Sequence, residues 1–259
     1  MRVVLKISGE ALKGENNISN SGLETILKDI KELHVHNELI IIVGGGNFWR
    51  GRNELNINST VSDYIGMLAT AMNALAINSY LNESGISSSV YGSFDITGII
   101  KKGTPYEIEN DLKNKKVVVF GGGLGIPNLT TDMTTVSKAI EYKADAILMA
   151  KSIDAIYDRD PKEEGAQKIK EISHEELLNM SLKQGVDSLM VMDLEALSSL
   201  VKNKMPLYVY SSSKINSVKE VLENKEGTRV ITKEVLWSLF KQIVMPHWIL
   251  VNDVKHNFL

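Results

Sequence analysis

Five short apolar runs recur along the chain: Val3-Val4-Leu5, Leu39–Val43, Val117–Phe120, Ala146–Met149 and Leu207–Tyr210. Each is too short for a buried helix and too continuous for a strand with one wet face, so each reads as a strand covered on both sides, as in parallel sheets. Between them, apolar residues return at three- and four-residue spacing: Leu23, Ile26, Leu27, Ile30 and Leu33; Tyr64, Met67, Leu68, Ala71, Met72 and Leu75; Val136, Ala139 and Ile140; Leu194, Leu197, Leu200 and Val201. These are helical faces. Strand alternating with helix predicts a layered α/β fold with helices on both faces of a mostly parallel sheet. With 259 residues, 43% of them hydrophobic, the chain can bury roughly three quarters of its unfolded surface. One large domain and two fused lobes are both compatible with that.

Several kinds of chemistry drop out. The chain has no cysteine, which removes disulfides, thiolate metal sites and cysteine nucleophiles and agrees with a reducing compartment. Net charge is −3, without a block of like charges, so no phosphate-coating basic face is advertised and nucleic acid is not an expected partner. No apolar run approaches the ~20 residues of a membrane helix. MRVVLKISGE reads as a strand and a turn, not as a secretory leader, and the expected location is the cytoplasm. The five histidines (His34, His36, His174, His247, His256) lack metal-ligand spacing and read as surface or packing residues.

Open α/β sheets bind ligands at the carboxyl ends of their strands, and three strand ends here suit phosphate. In LKISGEALKG, Lys6 ends the first strand and is followed by Ser8 and Gly9. Lysine is a compact cation that can follow a moving phosphoryl charge, and a glycine lets backbone N–H groups approach anionic oxygens. In IIIVGGGNFWRGR, the second strand empties into Gly44, Gly45, Gly46 and Asn47, with Arg50 close behind as a two-pronged donor. In KVVVFGGGLGIPNLTTD, a buried strand leaves through four glycines and ends on Thr130, Thr131 and Asp132, just before a helical pattern whose N-terminus favours anions. Each has a plainer reading: a solvated lysine, a tight turn with a surface arginine, and a helix cap. None matches the dinucleotide fingerprint or the Walker loop.

Taken in order, the blocks LKISGEAL, IIIVGGGNFWRG, DYIGMLATAMNALA, GGGLGIPNLTTD, ADAILMAKSIDAIYDRDP, VMDLEALSSL and EGTRVI resemble the bacterial-type uridylate kinases of the amino-acid kinase superfamily over residues 1–231. DYIGMLATAMNALA discriminates best, since related carbamate, acetylglutamate and aspartate kinases share the glycine loops but usually not this helix. The resemblance implies a three-layer α/β/α sandwich with a mostly parallel eight-stranded sheet. The implied reaction is transfer of the ATP γ-phosphoryl group to UMP, with Mg²⁺ carried by the nucleotide rather than by a dedicated site. The pathway is pyrimidine nucleotide biosynthesis, and the assembly is a homo-hexamer.

The resemblance also implies roles. Lys6, Asp132, Asp193 and Arg50 are the catalytic candidates. ATP would be held by Lys6, Ser8, Gly9, Gly46 and Arg50, with Lys151, Ser152, Tyr157 and Asp160 at its adenosine end. UMP would be held by Gly45, Asp63 at a ribose hydroxyl, and the run Leu124, Gly125, Ile126, Pro127, Asn128, Leu129, Thr130 and Thr131. Gly123-Leu124-Gly125-Ile126-Pro127 replaces the Gly-Thr-Gly-Asn-Pro common in relatives, and Asn128-Leu129 replaces an aromatic pair, which removes hydroxyl and amide contacts to UMP. Two alternatives stand beside the uridylate kinase: an acyl-phosphate-forming kinase of the same fold, and a nucleotide-binding sensor or storage protein without turnover. Residues 232–259 fall outside the resemblance. There Val235, Leu236, Leu239, Phe240, Ile243 and Val244 form an apolar stripe between Thr232 and Pro246, expected to be an added helix packed on the domain or on a neighbouring subunit.

Overall fold

The apolar runs form the middle of one sheet. The structure is a computed structural model that describes residues 1–50, 56–184, 191–212, 217–223 and 225–232; the C-terminal stripe lies outside them. In chain order the elements are β1 (Arg2–Ile7), a 3₁₀ turn (Gly9–Leu12), α1 (Asn20–His34), β2 (Glu38–Val43), α2 (Ser59–Glu83), β3 (Ser88–Gly92), α3 (Pro105–Lys113) and β4 (Val117–Gly121). Then come α4 (Thr131–Glu141), β5 (Ala146–Lys151), β6 (Ile156–Tyr157), β7 (Lys168–Ile169), β8 (Glu171–Ile172), α5 (His174–Gln184), α6 (Leu194–Lys202), β9 (Leu207–Ser211), α7 (Ser217–Leu222) and β10 (Thr228–Val230).

Among the described residues, eight strands make one sheet in the order β3-β4-β2-β1-β5-β9-β10-β8, while β6 and β7 pair as a small antiparallel ribbon. The six strands from β3 to β9 run parallel, β10 is antiparallel to β9, and β8 is parallel to β10. The sequence runs mark β1, β2, β4, β5 and β9. The edge strand β3 escapes that reading because Ser88, Ser89 and Val90 are only half-buried, and edge strands in general lack a continuous apolar signature.

Side chains alternate across the sheet as the two-residue strand period requires. Val4, Ile40, Ile42, Val118, Phe120, Ile147, Met149, Leu207 and Val209 face one core with apolar residues of α3, α4, α5 and α6. Val3, Leu5, Leu39, Ile41, Val119, Leu148, Tyr208 and Tyr210 face the other, with α1, α2 and α7. The result is the expected α/β/α sandwich. Helix starts follow local chemistry: Ser19 caps α1, Thr104 and Glu107 form a reciprocal capping box before Pro105 on α3, and Asp193 caps α6.

Candidate active site

β1 lies between β2, which follows it in the chain, and β5, which lies on its other side. That reversal of strand order is where open α/β sheets leave a crevice at their carboxyl edge. The turns after β1, β2 and β4 and the end of β5 meet there.

The first two turns are locked together. A Cβ on Gly9 would sit 2.5 Å from Asn47 Oδ1, 2.7 Å from the Gly44 carbonyl oxygen and 2.8 Å from Gly46 N. Gly9 is therefore required by the close approach of the second turn, a packing reason distinct from the anion contact expected of it. Ser8 caps the 3₁₀ turn, accepting from Glu10 N at 3.4 Å. The second turn is held from behind by Asn73 of α2, which is fully buried. Asn73 Nδ2 donates to the Gly44 carbonyl at 2.7 Å and to Asn47 Oδ1 at 2.7 Å, and Asn47 Nδ2 returns a bond to Asn73 Oδ1 at 2.9 Å. Asn47 Nδ2 also reaches the Asn17 carbonyl at 2.7 Å. The motif reading missed Asn73. Its signal was an asparagine inside the otherwise apolar stretch ATAMNALA.

The third turn needs its glycines for backbone conformation. Gly122, Gly123 and Gly125 have φ of +81°, +58° and +75°, values that side chains disfavour. Asn128 also has positive φ, 64°, which asparagine tolerates better than most residues. The turn is pinned to α2 at both ends: Gly122 N donates to Thr70 Oγ1 at 2.7 Å and Asn128 N donates to Asp63 Oδ2 at 2.8 Å.

A cavity of about 290 Å³ opens between α2 and these turns. Of the residues assigned to UMP, Gly45, Asp63, Leu129, Thr130 and Thr131 line it, and so does Gly46; Leu124 to Asn128 belong to the same turn without lining it. Trp49, Ser62, Gly66, Met67, Thr70 and Gly123 complete the wall. Trp49 is fixed by its indole N–H, which donates to Ser62 Oγ at 3.0 Å. Neither Trp49 nor Ser62 was singled out from sequence, because nothing local tells a lining tryptophan from a packing one.

A charge cluster begins one residue beyond the cavity wall. Asp132, next in sequence to the lining Thr131, receives Lys6 Nζ at 3.1 Å on Oδ1 and Lys151 Nζ at 3.4 Å on Oδ2. All three side chains are largely buried, at 10%, 16% and 15% exposure for Lys6, Lys151 and Asp132. Burial pushes the Asp132 carboxyl up, but the fields of Lys6 and Lys151 together outweigh it and hold the group below the usual carboxylate range. Burial, aided by repulsion from Lys6, lowers the Lys151 ammonium against the pull of Asp132 and Asp193. Thr130 caps α4, accepting from Met133 N at 3.0 Å, and its hydroxyl donates to Asp193 Oδ2; Asp193 Oδ1 accepts from Ala196 N at 2.9 Å. Two helix N-termini thus meet beside the lysines.

The remaining candidates are more dispersed. Arg50 is two-thirds exposed and paired with Glu10, donating from Nε at 3.2 Å and from Nη2 at 2.8 Å. Tyr157 donates its hydroxyl to Asp154 Oδ1 at 2.8 Å, Asp160 Oδ1 accepts from Lys162 N at 2.9 Å, and Ser152 is exposed. None of these three lines the cavity.

The carboxylates do not fit a resident magnesium ion. Both oxygens of Asp132 face ammonium groups and both of Asp193 already accept hydrogen bonds, and among the described residues no cluster of three acidic or histidine side chains could hold a metal. No helix among the described residues is long and apolar enough to cross a membrane.

Comparison with known proteins agrees with this geometry. The model of the amino acid kinase family matches residues 1–211. The crystal structure of UMP kinase from Ureaplasma parvum superposes with a TM-score of 0.81 at 32% identity, covering 89% of this chain and 98% of that one. UMP kinase from Bacillus anthracis gives 0.82 at 29% identity, over 90% and 96%. Uridylate kinase from Archaeoglobus fulgidus gives 0.67 at 26% identity, over 89% and 100%.

Proposed function

The chain belongs to the amino acid kinase family, and we propose that within it the chain is a UMP kinase, transferring the γ-phosphoryl group of ATP to UMP to give UDP and ADP. The observation that carries this reading is that the Lys6–Asp132–Lys151 cluster begins at the residue next to the cavity-lining Thr131, while the lining Thr130 is bonded to Asp193. Such a site holds an acceptor at one end and gathers positive charge where two polyanions would meet.

In the reaction, a phosphate oxygen of UMP attacks Pγ, the bond from Pγ to the β-bridging oxygen breaks, and ADP leaves with that electron pair. A phosphate monoester with a second pKa of ~6 is mostly dianionic at pH 7, so no general base is needed. What the protein supplies is alignment and charge stabilisation. Lys6 meets charge on the phosphoryl group in flight, Asp132 orients Lys6, and Asp193 ties the acceptor turn to α6 through Thr130. Gly45 and Gly46 offer open backbone to phosphates, Arg50 supplements them on leaving Glu10, and Asp63 has one carboxylate oxygen for a ribose hydroxyl beside the one that accepts from Asn128 N. Leu124 to Thr131 close over the uridine, while Ser8 and Gly9 shape the ATP side, and Ser152, Tyr157 and Asp160 serve the adenosine end. Mg²⁺ would belong to the ATP substrate, where it would neutralise part of the phosphate charge, and no residue of this chain is assigned to hold it.

The same reading extends to assembly and setting. Val61, Tyr64, Leu68 and Met72 form a stripe at helical spacing on α2, each 45–49% exposed, and such a stripe is covered when a second copy packs on it. We assign to it one contact of a homo-hexamer acting in the cytoplasm in pyrimidine nucleotide synthesis, with residues 1–231 as the catalytic unit and 232–259 as an added packing segment. A coupled assay of ADP formation with UMP, carbamate, glutamate and aspartate as acceptors tests the activity: turnover is expected with UMP. Turnover with one of the others and none with UMP would overturn the assignment. Monomeric mass in solution would overturn the assembly.

A further inference from the structure

We propose that Lys151 is a second phosphoryl-handling cation of this site, contacting the transferred phosphoryl group together with Lys6, and not a residue of the adenosine end of ATP. The proposal rests on the nucleotide-kinase reading above and changes the place of one residue within it.

Strand register makes the case first. Lys6 of β1 is aligned with Met149 of β5, and Lys6 follows Val4 by two residues just as Lys151 follows Met149. Val4 and Met149 both belong to the core under α4 and α6, so by the two-residue period of strands the two lysines emerge on that same face. They leave the carboxyl edge of adjacent strands one pleat apart, beneath the first turn of α4.

Their ammonium groups then converge on one carboxylate, at 3.1 Å and 3.4 Å from the two oxygens of Asp132. A single carboxylate balances only one of two buried ammoniums. The neighbouring Asp193 helps Lys151 through its field, but its oxygens are taken by Thr130 and Ala196 N. A largely buried lysine beside a second lysine lacks a partner of its own. A phosphoryl group in transfer, with negative charge spread over three equatorial oxygens, is a complementary guest.

The adenosine-end assignment does not share this geometry. Tyr157 and Asp160, which were grouped with Lys151 by sequence, make their bonds to Asp154 and Lys162, whereas Lys151 turns toward α4. Lysine also suits the proposed task, since a point charge on a flexible stem can shift from Asp132 to a phosphoryl oxygen without reorienting a planar fork.

The test separates the two ends of ATP without depending on turnover. Tripolyphosphate and adenosine are titrated separately into the wild-type chain, Lys151→Met and Lys151→Arg by calorimetry, with circular dichroism to check that each variant is folded. Lys151→Met is expected to weaken tripolyphosphate about 10-fold or more and to leave adenosine within about twofold, with Lys151→Arg recovering part of the loss. In the coupled assay, Lys151→Met should lower kcat by about 100-fold with little change in KM for ATP. Weaker adenosine binding with unchanged tripolyphosphate binding would return Lys151 to the adenosine end, and two unchanged affinities would overturn the proposal equally. If the wild-type chain makes no UDP yet tripolyphosphate binding still depends on Lys151, the UMP kinase reading fails while this one stands.

Discussion

Replacing Asn73 by leucine tests how the phosphate turns are held. The two side chains have the same number of heavy atoms and the same branching, so the change removes polar partners without creating a cavity. Two buried acceptors, the Gly44 carbonyl and Asn47 Oδ1, lose donors that now lie at 2.7 Å. Each stranded group costs ~1–3 kcal/mol. The leucine recovers ~1–2 kcal/mol through apolar burial, leaving a net loss of about 0–5 kcal/mol with a midpoint of ~2.5 kcal/mol. Urea unfolding at fixed protein concentration measures this. A cycle with Asn47→Ala sharpens it: each single variant strands the other's amide, whereas the double variant removes both, so the double should cost less than the sum of the singles. Because the turn carrying Gly45 and Gly46 moves with Asn47, KM for nucleotide should rise in Asn73→Leu. Strict additivity in the cycle, together with an unchanged KM for nucleotide in Asn73→Leu, would show that the amide pair does not hold the turn.

Lys6→Ala removes one of the two cations on Asp132 and should lower kcat about 100- to 1,000-fold in the coupled assay with the far-ultraviolet dichroism spectrum unchanged; an undiminished rate would refute its role. Glu10→Gln frees Arg50 from an exposed ion pair of ~0.2–1 kcal/mol, so KM for nucleotide should fall by up to about fivefold, and a rise would mean that Glu10 positions the guanidinium productively. Asp29, on α1, is coupled to pH: burial pushes its carboxyl up to about 7, against the hydroxyl of Tyr210 and with Glu32 reinforcing the rise. A folded-state value above that of the unfolded chain gives stability that is fully present below about pH 4 and is lost as pH rises through about 7. Asp29→Asn should therefore remove part of the decline between about pH 4 and pH 7 and be the more stable protein at pH 8; parallel pH profiles of the urea midpoint would contradict this.

The charge cluster shows where local reading reaches its limit. Lys6 and Asp132 are legible because Lys6 ends a buried strand just before a glycine turn and Asp132 closes the glycine turn after another, signals contained within a few residues. Lys151 carries no such local signal of direction: where its ammonium points depends on β5 lying beside β1, a pairing across more than 140 residues. Gly9 was identified as necessary for one reason, whereas the close approach of Gly44, Gly46 and Asn47 supplies another. Trp49 and Ser62 gave no local signal at all, since a lining residue is defined by what stands opposite it.

Taken by itself, the sequence determined the layered α/β architecture, the strands that form its centre and the turns that leave their carboxyl ends, since hydrophobic period and glycine placement are properties of neighbouring residues. The tertiary structure alone decided that Asn73 braces the second turn, that Thr70 and Asp63 pin the third, and that two lysines share one carboxylate. Those are distances between segments far apart in the chain, set by strand order and register once the whole sheet has formed.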